Sequence, residues 1–392
     1  MKALAVDLAV MVLSFAGLTL FIALLPLVSR DVPISSSWAW VASMMYAAGV
    51  FASYLIGCLP SLASSPRRVV AFSTLAVSAS LGLTSLATNP IEIAVLRFVQ
   101  GFASMSVPVF SAQLARLFGR AAPIALGILF SGTFIGGALG YAAPAIASLV
   151  GWRGVYAVFA LLVALAGAAW LKTCPPLSAV ARVSSREARE VARDPFTILW
   201  GASFFTAMWV LFTSATLGQM ASHVSPSLFG KTLQVSMAAW SVAGGVIAYA
   251  MSRGRDVVQG IGRVQQVCLA LAALGALAAL SARSDLDVVA AAIMIGAVQG
   301  ASPAFWTLPS VAYPEREAEL AGFVLGTLSN AAALVGPAIT TALALSVGPQ
   351  SVWIAMASVS LGGVATTAMA MRVAPPVVAQ SHRPRLFRRL SA

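Results

Sequence analysis

Residues 97–101 read Arg-Phe-Val-Gln-Gly, and residues 296–300 read Gly-Ala-Val-Gln-Gly. The last three residues agree, and the second stretch lies 199 positions after the first. Gly127 and Gly326 are separated by the same 199 positions. Matching residues at one fixed offset are the signature of an internal repeat. The sequence therefore predicts that the chain contains two copies of one structural unit.

The composition around these stretches is that of a membrane protein. Of the 392 residues, 59% are hydrophobic and 9% are charged, and the mean hydropathy is +0.91. A soluble globular protein has about 25% charged residues, so this chain has too little polar surface to be soluble. The net charge of +12 does not indicate nucleic-acid binding, because the basic residues lie at the ends of apolar runs rather than on one folded face.

Apolar runs long enough to cross a bilayer recur along the chain, since about 20 apolar residues span the hydrocarbon as a helix. Twelve such runs are predicted, near 5–28, 37–58, 69–88, 91–116, 122–147, 154–172, 197–220, 232–251, 263–281, 288–312, 320–345 and 351–371. Together with the repeat they predict an all-α integral membrane protein. Its twelve transmembrane helices would form two parallel six-helix bundles with pseudo-two-fold symmetry.

One long connection, residues 173–196, divides the chain into an N-terminal bundle (1–172) and a C-terminal bundle (197–372), and residues 373–392 form a basic tail. With both termini in the cytoplasm, 19 of the 24 basic residues fall on the cytoplasmic side. Those on the outer side are Arg30, Arg153, Lys231 and Arg283. The positive-inside rule thus predicts a multi-pass protein of the cell membrane with cytoplasmic termini, linker and tail.

Three motifs resemble those of the major facilitator superfamily, over essentially the whole chain. Residues 97–101 match the R-x-x-Q-G motif of its fourth helix, and Gly151-Trp152-Arg153 match its G-W-R signature. Its glycine-rich fifth helix is matched by Gly132, Gly136, Gly140 and Pro144, at every fourth position. The resemblance implies a secondary transporter that works by alternating access. Its substrate cavity would lie between the halves and be lined by helices one, four, seven and ten.

The loop after the second helix departs from the family pattern. The family reads G-x-x-x-D-R-x-G-R-R there, whereas this chain keeps Gly57, has Ser61 at the acidic position, and carries its basic pair at Arg67 and Arg68. In the family this loop latches the cytoplasmic side through charge pairs. This chain lacks the family's acidic residue at that latch.

A narrower stretch resembles the anion:cation symporter branch, which moves organic anions. It comprises Phe305-Trp306-Thr307-Leu308-Pro309, Gly322, Asn330 and Gly336-Pro337. That branch shares the arginine and glycine of residues 97–101 but usually has a glutamate where this chain has Ser104.

Arg97 is the only basic residue well inside a predicted span. A charge at the bilayer centre costs about 2.5–3.5 kcal/mol on insertion scales, so such a residue must face protein or water. It is predicted to bind an anionic group or to couple protons, and the alternative is that it donates hydrogen bonds to carbonyls of a neighbouring helix.

Polar side chains at helical spacing extend this site over two spans. The predicted substrate-binding or coupling residues are Arg97, Gln100, Ser104, Gln299, Trp306, Asn330, Tyr46 and Trp209. The predicted packing or hinge residues are Gly132, Gly136, Gly140, Pro144, Gly336 and Pro337. Interhelical hydrogen bonding is the alternative for each polar residue taken singly.

The predicted function is transport of a small organic solute, with an organic anion or neutral metabolite favoured because no acidic residue lies at mid-depth to pair with a cation. Drug or metabolite efflux by proton antiport is the alternative. Two remote alternatives are an intramembrane enzyme and a channel. The sequence places no pair of catalytic residues within a span, as an enzyme would need, and a channel does not require the duplicated unit.

No phosphate-binding loop, cofactor site or metal-ligand spacing is present in the sequence. Protons or sodium are the candidate coupling ions, and the protein is predicted to be a monomer in the lipid bilayer.

Overall fold

Helices make up all the regular structure in the described part of the chain. The computed structural model describes residues 2–59, 65–173, 185–218, 221–222, 226–253, 257–313 and 315–374. The α-helices are α1 (Lys2–Asp31), α2 (Ser36–Gly57), α3 (Pro66–Thr84), α4 (Pro90–Gln100), α5 (Val107–Phe118), α6 (Ala122–Thr173), α7 (Ser185–Arg193), α8 (Pro195–Thr213), α9 (Pro226–Met251), α10 (Val257–Leu280), α11 (Asp285–Gly296), α12 (Ala301–Thr307), α13 (Pro309–Ala312), α14 (Glu315–Asn330), α15 (Ala332–Val347) and α16 (Ser351–Val373). Tighter 3-10 turns at Gly101–Ser106 and Ala297–Gly300 follow α4 and α11.

Nine segments of the described residues are long and apolar enough to cross a membrane, which confirms a multi-pass membrane protein. The longest, Pro90–Thr173, has 84 residues, whereas one crossing takes about 20. It is interrupted at Gly101–Ser106 and Gly119–Ala121, and it bends at Gly151. The described residues therefore yield nine candidate spans rather than the predicted twelve: Pro90–Thr173 contains three of the predicted runs because consecutive helices run into one another, and α3 is not among the nine.

The bend at Gly151 explains the G-W-R signature physically. Gly151 has φ +70°, which glycine adopts without steric cost because it has no Cβ. Trp152 Nε1 then donates a 2.7 Å hydrogen bond to Asp31 at the end of α1. Arg153 donates to the carbonyls of Ser85, at 2.8 Å, and Ala87, at 3.1 Å, just beyond α3. The signature thus joins the ends of three helices.

The repeated Val-Gln-Gly motif packs in the same way in both halves. A Cβ on Gly101 would lie 2.5 Å from the backbone nitrogen of Val50 in α2. In the second copy, a Cβ on Gly244 in α9 would lie 2.5 Å from the Cα of Gly300. A 3-10 turn replaces the α-helix at this point in each copy. The shared backbone contact and the shared turn support the predicted repeat.

The glycines of α6 face α1. A Cβ on Gly132 would lie 2.7 Å from Leu8, one on Gly136 would overlap the carbonyl oxygen of Val12, and one on Gly140 would overlap the hydroxyl of Thr19. Small residues allow two membrane helices to approach until their backbones touch. The helix continues past this contact through Pro144.

The residues before the 173–196 connection (the N half) and those after it (the C half) are in close contact at the linker side, the face formed by the end of α5 and the starts of α8 and α14. Arg116 Nη2 lies 3.2 Å from Glu319 Oε1, an ion pair between the N half and the C half. Phe323 packs against Gly57, where a Cβ would overlap its ring. Within the N half, Arg67 donates a 2.6 Å hydrogen bond to the carbonyl of Leu171. Ser61 lies outside the described residues.

Candidate functional site

A cavity of about 130 Å³ lies between the two halves. Its polar lining comprises Thr19, Tyr46, Tyr54, Ser104, Thr133 and Tyr141 from the N half and Thr216, Gln234, Gln299, Ser302, Trp306 and Asn330 from the C half. Its apolar lining includes Met11, Phe15, Phe130, Phe134, Phe204, Met208 and Phe212. Among the described residues, no charged side chain lines this cavity. The cavity can therefore hold a largely apolar molecule and offer it neutral hydrogen-bonding groups.

Aromatic rings from both halves meet on the cavity wall. The Trp306 ring stacks on Tyr54 with centroids 6.0 Å apart and planes at 23°. The same indole lies 6.2 Å from the ring of Phe130. Both partners belong to the N half, so Trp306 is one of the residues through which the C half contacts it. Such ring contacts stabilise packing beyond the area they bury.

Arg97 is buried behind the cavity wall rather than lining it. Its Nη1 donates to the carbonyl of Gly17 at 2.5 Å and to Gln100 Oε1 at 3.0 Å. Its guanidinium carbon lies 4.5 Å from the centre of the Tyr46 ring and 5.3 Å from that of Phe21. Tyr46 lines the cavity, so the Tyr46 ring separates the guanidinium from a bound molecule. The geometry matches the alternative in which Arg97 holds a neighbouring helix.

Gln100 is engaged at both ends of its amide. Its oxygen accepts from Arg97, and its Nε2 donates to Thr84 Oγ1 at 3.1 Å. Arg97, which lies on α4, thereby connects four helices. It contacts α1 at Gly17 and Phe21 and α2 at Tyr46, and it is linked to α3 through Gln100 and Thr84. Neither Gln100 nor Arg97 is among the residues that line the cavity.

Five of the eight residues predicted from the sequence lie on the cavity wall, namely Tyr46, Ser104, Gln299, Trp306 and Asn330. Asn330 ends α14, and its Nδ2 donates to the Gly326 carbonyl at 2.9 Å. Trp209 faces away from the cavity, because its Nε1 donates to Thr340 at 3.2 Å and its ring covers Gly336. Pro337 follows that glycine inside α15.

Gln234 is a cavity residue that sequence reasoning missed. It lies on α9, inside a predicted apolar span, and its amide oxygen sits 2.8 Å from the position of a Cβ on Gly137. A glutamine within such a span was the available signal, since a buried amide needs a partner. Tyr54 and Thr19 were missed as well, and both line the cavity.

The burial of Asp7 was also not predicted from the sequence. Its position near the start of the first span is typical of a charge that stabilises a helix N-terminus. In the structure the side chain is buried, accepting from Trp170 Nε1 at 2.7 Å and from Gln113 Nε2 at 3.5 Å. The ion pairs between described residues do not involve Asp7. It is a buried carboxyl group of the N half with neutral neighbours.

The comparisons with known proteins agree with this architecture. A sequence model of the Major Facilitator Superfamily matches residues 8–337. No curated protein sequence matches the chain. The crystal structure of the human organic anion transporter MFSD10 (TETRAN) superimposes with a TM-score of 0.71 and 15% sequence identity, covering 93% of this chain and 99% of that one. At that identity the match shows a shared fold.

Proposed function

We propose that this chain, which belongs to the major facilitator superfamily, carries an uncharged, largely apolar organic solute across the cell membrane by alternating access. Members of this family are secondary transporters, so the chain is a transporter rather than an enzyme. The sequence favoured an organic anion or a neutral metabolite. The cavity supports the neutral metabolite, whereas the structurally similar MFSD10 is an organic anion transporter.

The observation that carries this proposal is the uncharged lining of the cavity within the described residues. An anion buried there would lack a cationic partner, since Arg97 already donates to Gly17 and Gln100 behind Tyr46. A cation would lack a carboxylate. Burying an unpaired charge in an apolar environment is strongly unfavourable, so both charged classes are disfavoured.

The purified protein reconstituted in liposomes tests the proposal by counterflow of labelled solutes. We expect saturable exchange of uncharged amphipathic solutes, with little competition from a tenfold excess of monocarboxylates, dicarboxylates or lipophilic cations. A preference for carboxylates would contradict the neutral class, and saturable transport of lipophilic cations unaffected by carboxylates would contradict the whole substrate assignment. Flux without counterflow would contradict a carrier mechanism.

A twelve-helix arrangement is part of the proposal. Counting Pro90–Thr173 as three crossings, divided near Gly119 and Gly151, and adding α3 to the nine segments gives twelve. The chain then divides at the linker into two six-helix units. The repeated packing of Gly101 and Gly300 supports this division.

The orientation gives a prediction of its own. In a variant without native cysteines, Ser184→Cys in the linker should react with a membrane-impermeant thiol reagent from the cytoplasmic side only, because basic residues concentrate on that side. Ser225→Cys, between the seventh and eighth crossings, should react from outside only. Ser225→Cys that reacted only from the cytoplasm would reverse the assignment. Inverted and right-side-out vesicles provide the two sides.

Efflux by proton antiport is a second candidate, and Asp7 is the observation that favours it. A buried carboxyl group that accepts only neutral hydrogen bonds can take up a proton without breaking an ion pair. An imposed pH gradient in the same liposomes separates the candidates. Accumulation driven by the gradient favours proton coupling, and exchange that ignores the gradient favours facilitative transport.

A further inference from the structure

The two copies of the repeated motif differ at one position that changes the chemistry of the glutamine. Gln100 and Gln299 occupy equivalent places, but Arg97 of the first copy corresponds to Gly296 of the second. The oxygen of Gln100 accepts from Arg97, whereas the oxygen of Gln299 is buried without a hydrogen-bond partner among the described residues. Gln299 lines the cavity and Gln100 does not. The second copy therefore places on the cavity wall an amide whose counterpart in the first copy is hydrogen-bonded to Arg97.

Two further residues of the cavity wall also have a buried polar atom without a hydrogen-bond partner among the described residues. The hydroxyl of Tyr46 and the amide oxygen of Gln234 have no hydrogen-bond partner within the described structure. The exposed fractions of Tyr46, Gln234 and Gln299 are 3%, 5% and 4%. Buried polar atoms are nearly always hydrogen-bonded in native proteins, so an orphaned atom calls for a missing partner. The residues that carry these three atoms belong to α2, α9 and the turn after α11, and all three line one cavity. Other orphaned atoms of the described residues, such as Gln265 Oε1, belong to residues off the cavity wall.

The chemistry of these groups restricts what can satisfy them. A carboxamide places a donor and an acceptor side by side, and its oxygen and nitrogen exchange places by a flip of the side chain. Its best complement presents an acceptor and a donor side by side as well. The tyrosine hydroxyl can donate or accept. The remaining lining is aromatic and aliphatic, which suits an apolar body.

Resting on the proposed function, we propose that Gln299, assisted by Gln234 and Tyr46, recognises a carboxamide-type group on an uncharged, mainly apolar substrate. Gln299 is the principal residue because its position in the repeat leaves it without the arginine that occupies Gln100. The apolar body of the substrate packs on Trp306 and the phenylalanines. A substrate that lacks the donor leaves a buried amide oxygen unsatisfied, and the site discriminates against it for that reason.

A matched series of probes tests the assignment: 1-naphthylacetamide, its methyl ester analogue and 1-naphthylacetate. Their binding is measured by thermal-shift titration of the purified full-length protein, in which a ligand of the folded state raises its stability. In the wild type we expect the amide to bind about tenfold more tightly than the ester, the effect of one net hydrogen bond. In Gln299→Leu the two should differ by about twofold or less, and the unliganded protein should be as stable as the wild type or more so, because an unsatisfied polar group is removed.

Gln234→Leu is the second variant, expected to reduce the preference partly. Gln266→Leu is the control, since Gln266 donates to the Val364 carbonyl at 3.2 Å and lies off the cavity wall. It should keep the full amide preference. Wild-type protein that binds none of the probes, that prefers the ester or the carboxylate, or that keeps its amide preference in Gln299→Leu would overturn the assignment. Absence of counterflow for every solute tested would instead contradict the proposed function.

Discussion

Arg97→Ala is expected to abolish transport and to destabilise the folded protein by about 3 kcal/mol, the scale of a buried large-to-small change that also removes hydrogen bonds. The guanidinium joins the carbonyl of Gly17 to Gln100 and lies against the rings of Phe21 and Tyr46. Alanine leaves a cavity between the helices and an amide oxygen without its donor. Because Tyr46 also lines the cavity, the loss of Arg97 is expected to disturb the cavity wall through that ring.

Arg97→Lys should rescue poorly, since an ammonium group lacks the planar fork that reaches two acceptors and stacks on aromatic rings. The measurements are counterflow at matched expression and thermal unfolding in detergent. Arg153→Ala is the matched control, because Arg153 also donates to two carbonyls and lies over a ring, but sits at the rim of the bundle. It should change stability much less. Normal counterflow and unchanged stability in Arg97→Ala would contradict the structural role.

Reversing one charge of the pair between Arg116 and Glu319 is expected to open the linker side. Arg116→Glu places two carboxylates together where the Glu319 side chain is 3% exposed. Like charges repel strongly away from water, and the conformation that separates the halves relieves them. A cysteine introduced at Ser302 on the cavity wall should then react faster from the linker side, and net transport should fall.

The double variant Arg116→Glu with Glu319→Arg restores opposite charges and should recover most of the closed state. The control is Arg186→Glu on α7. Arg186 and Glu190 are 2.8 Å apart, closer than Arg116 and Glu319, but their side chains are 87% and 62% exposed. Exposed pairs contribute about 0–1 kcal/mol, so this reversal should leave labelling unchanged. Unaltered labelling in Arg116→Glu would show that the ion pair is not needed to keep the halves together on this side.

Local patterns in the sequence predicted most of the helical architecture. Apolar length predicted the membrane helices, and the offset of the Val-Gln-Gly motif predicted a repeat whose backbone contacts recur in both halves. The predicted runs 122–147 and 154–172 left a break that contains Gly151, and the structure bends there through the positive φ of that glycine.

Contacts between distant segments could not be read in the same way. Arg97 was identified as a buried charge, but its screening from the cavity depends on how Tyr46 of another helix lies against it. Gln299 was predicted because it belongs to the repeated motif, whereas Gln234 resembles any membrane glutamine in sequence and is identified only by the cavity that both residues line. The pairing of Arg116 with Glu319 joins residues 203 positions apart.

The uncharged cavity wall of the described residues also decides how the carrier responds to voltage. One elementary charge moved across a membrane potential of 100 mV changes the free energy by about 2.3 kcal/mol. Arg97 is held against α1 and α2 by its hydrogen bond to Gly17 and its contact with Tyr46, and the uncharged solute proposed above would add nothing to the charge that crosses. Reorientation of such a carrier moves almost no charge through the electric field. The membrane potential then neither drives nor opposes the cycle, and the solute distributes by its own concentration gradient unless an ion is carried with it.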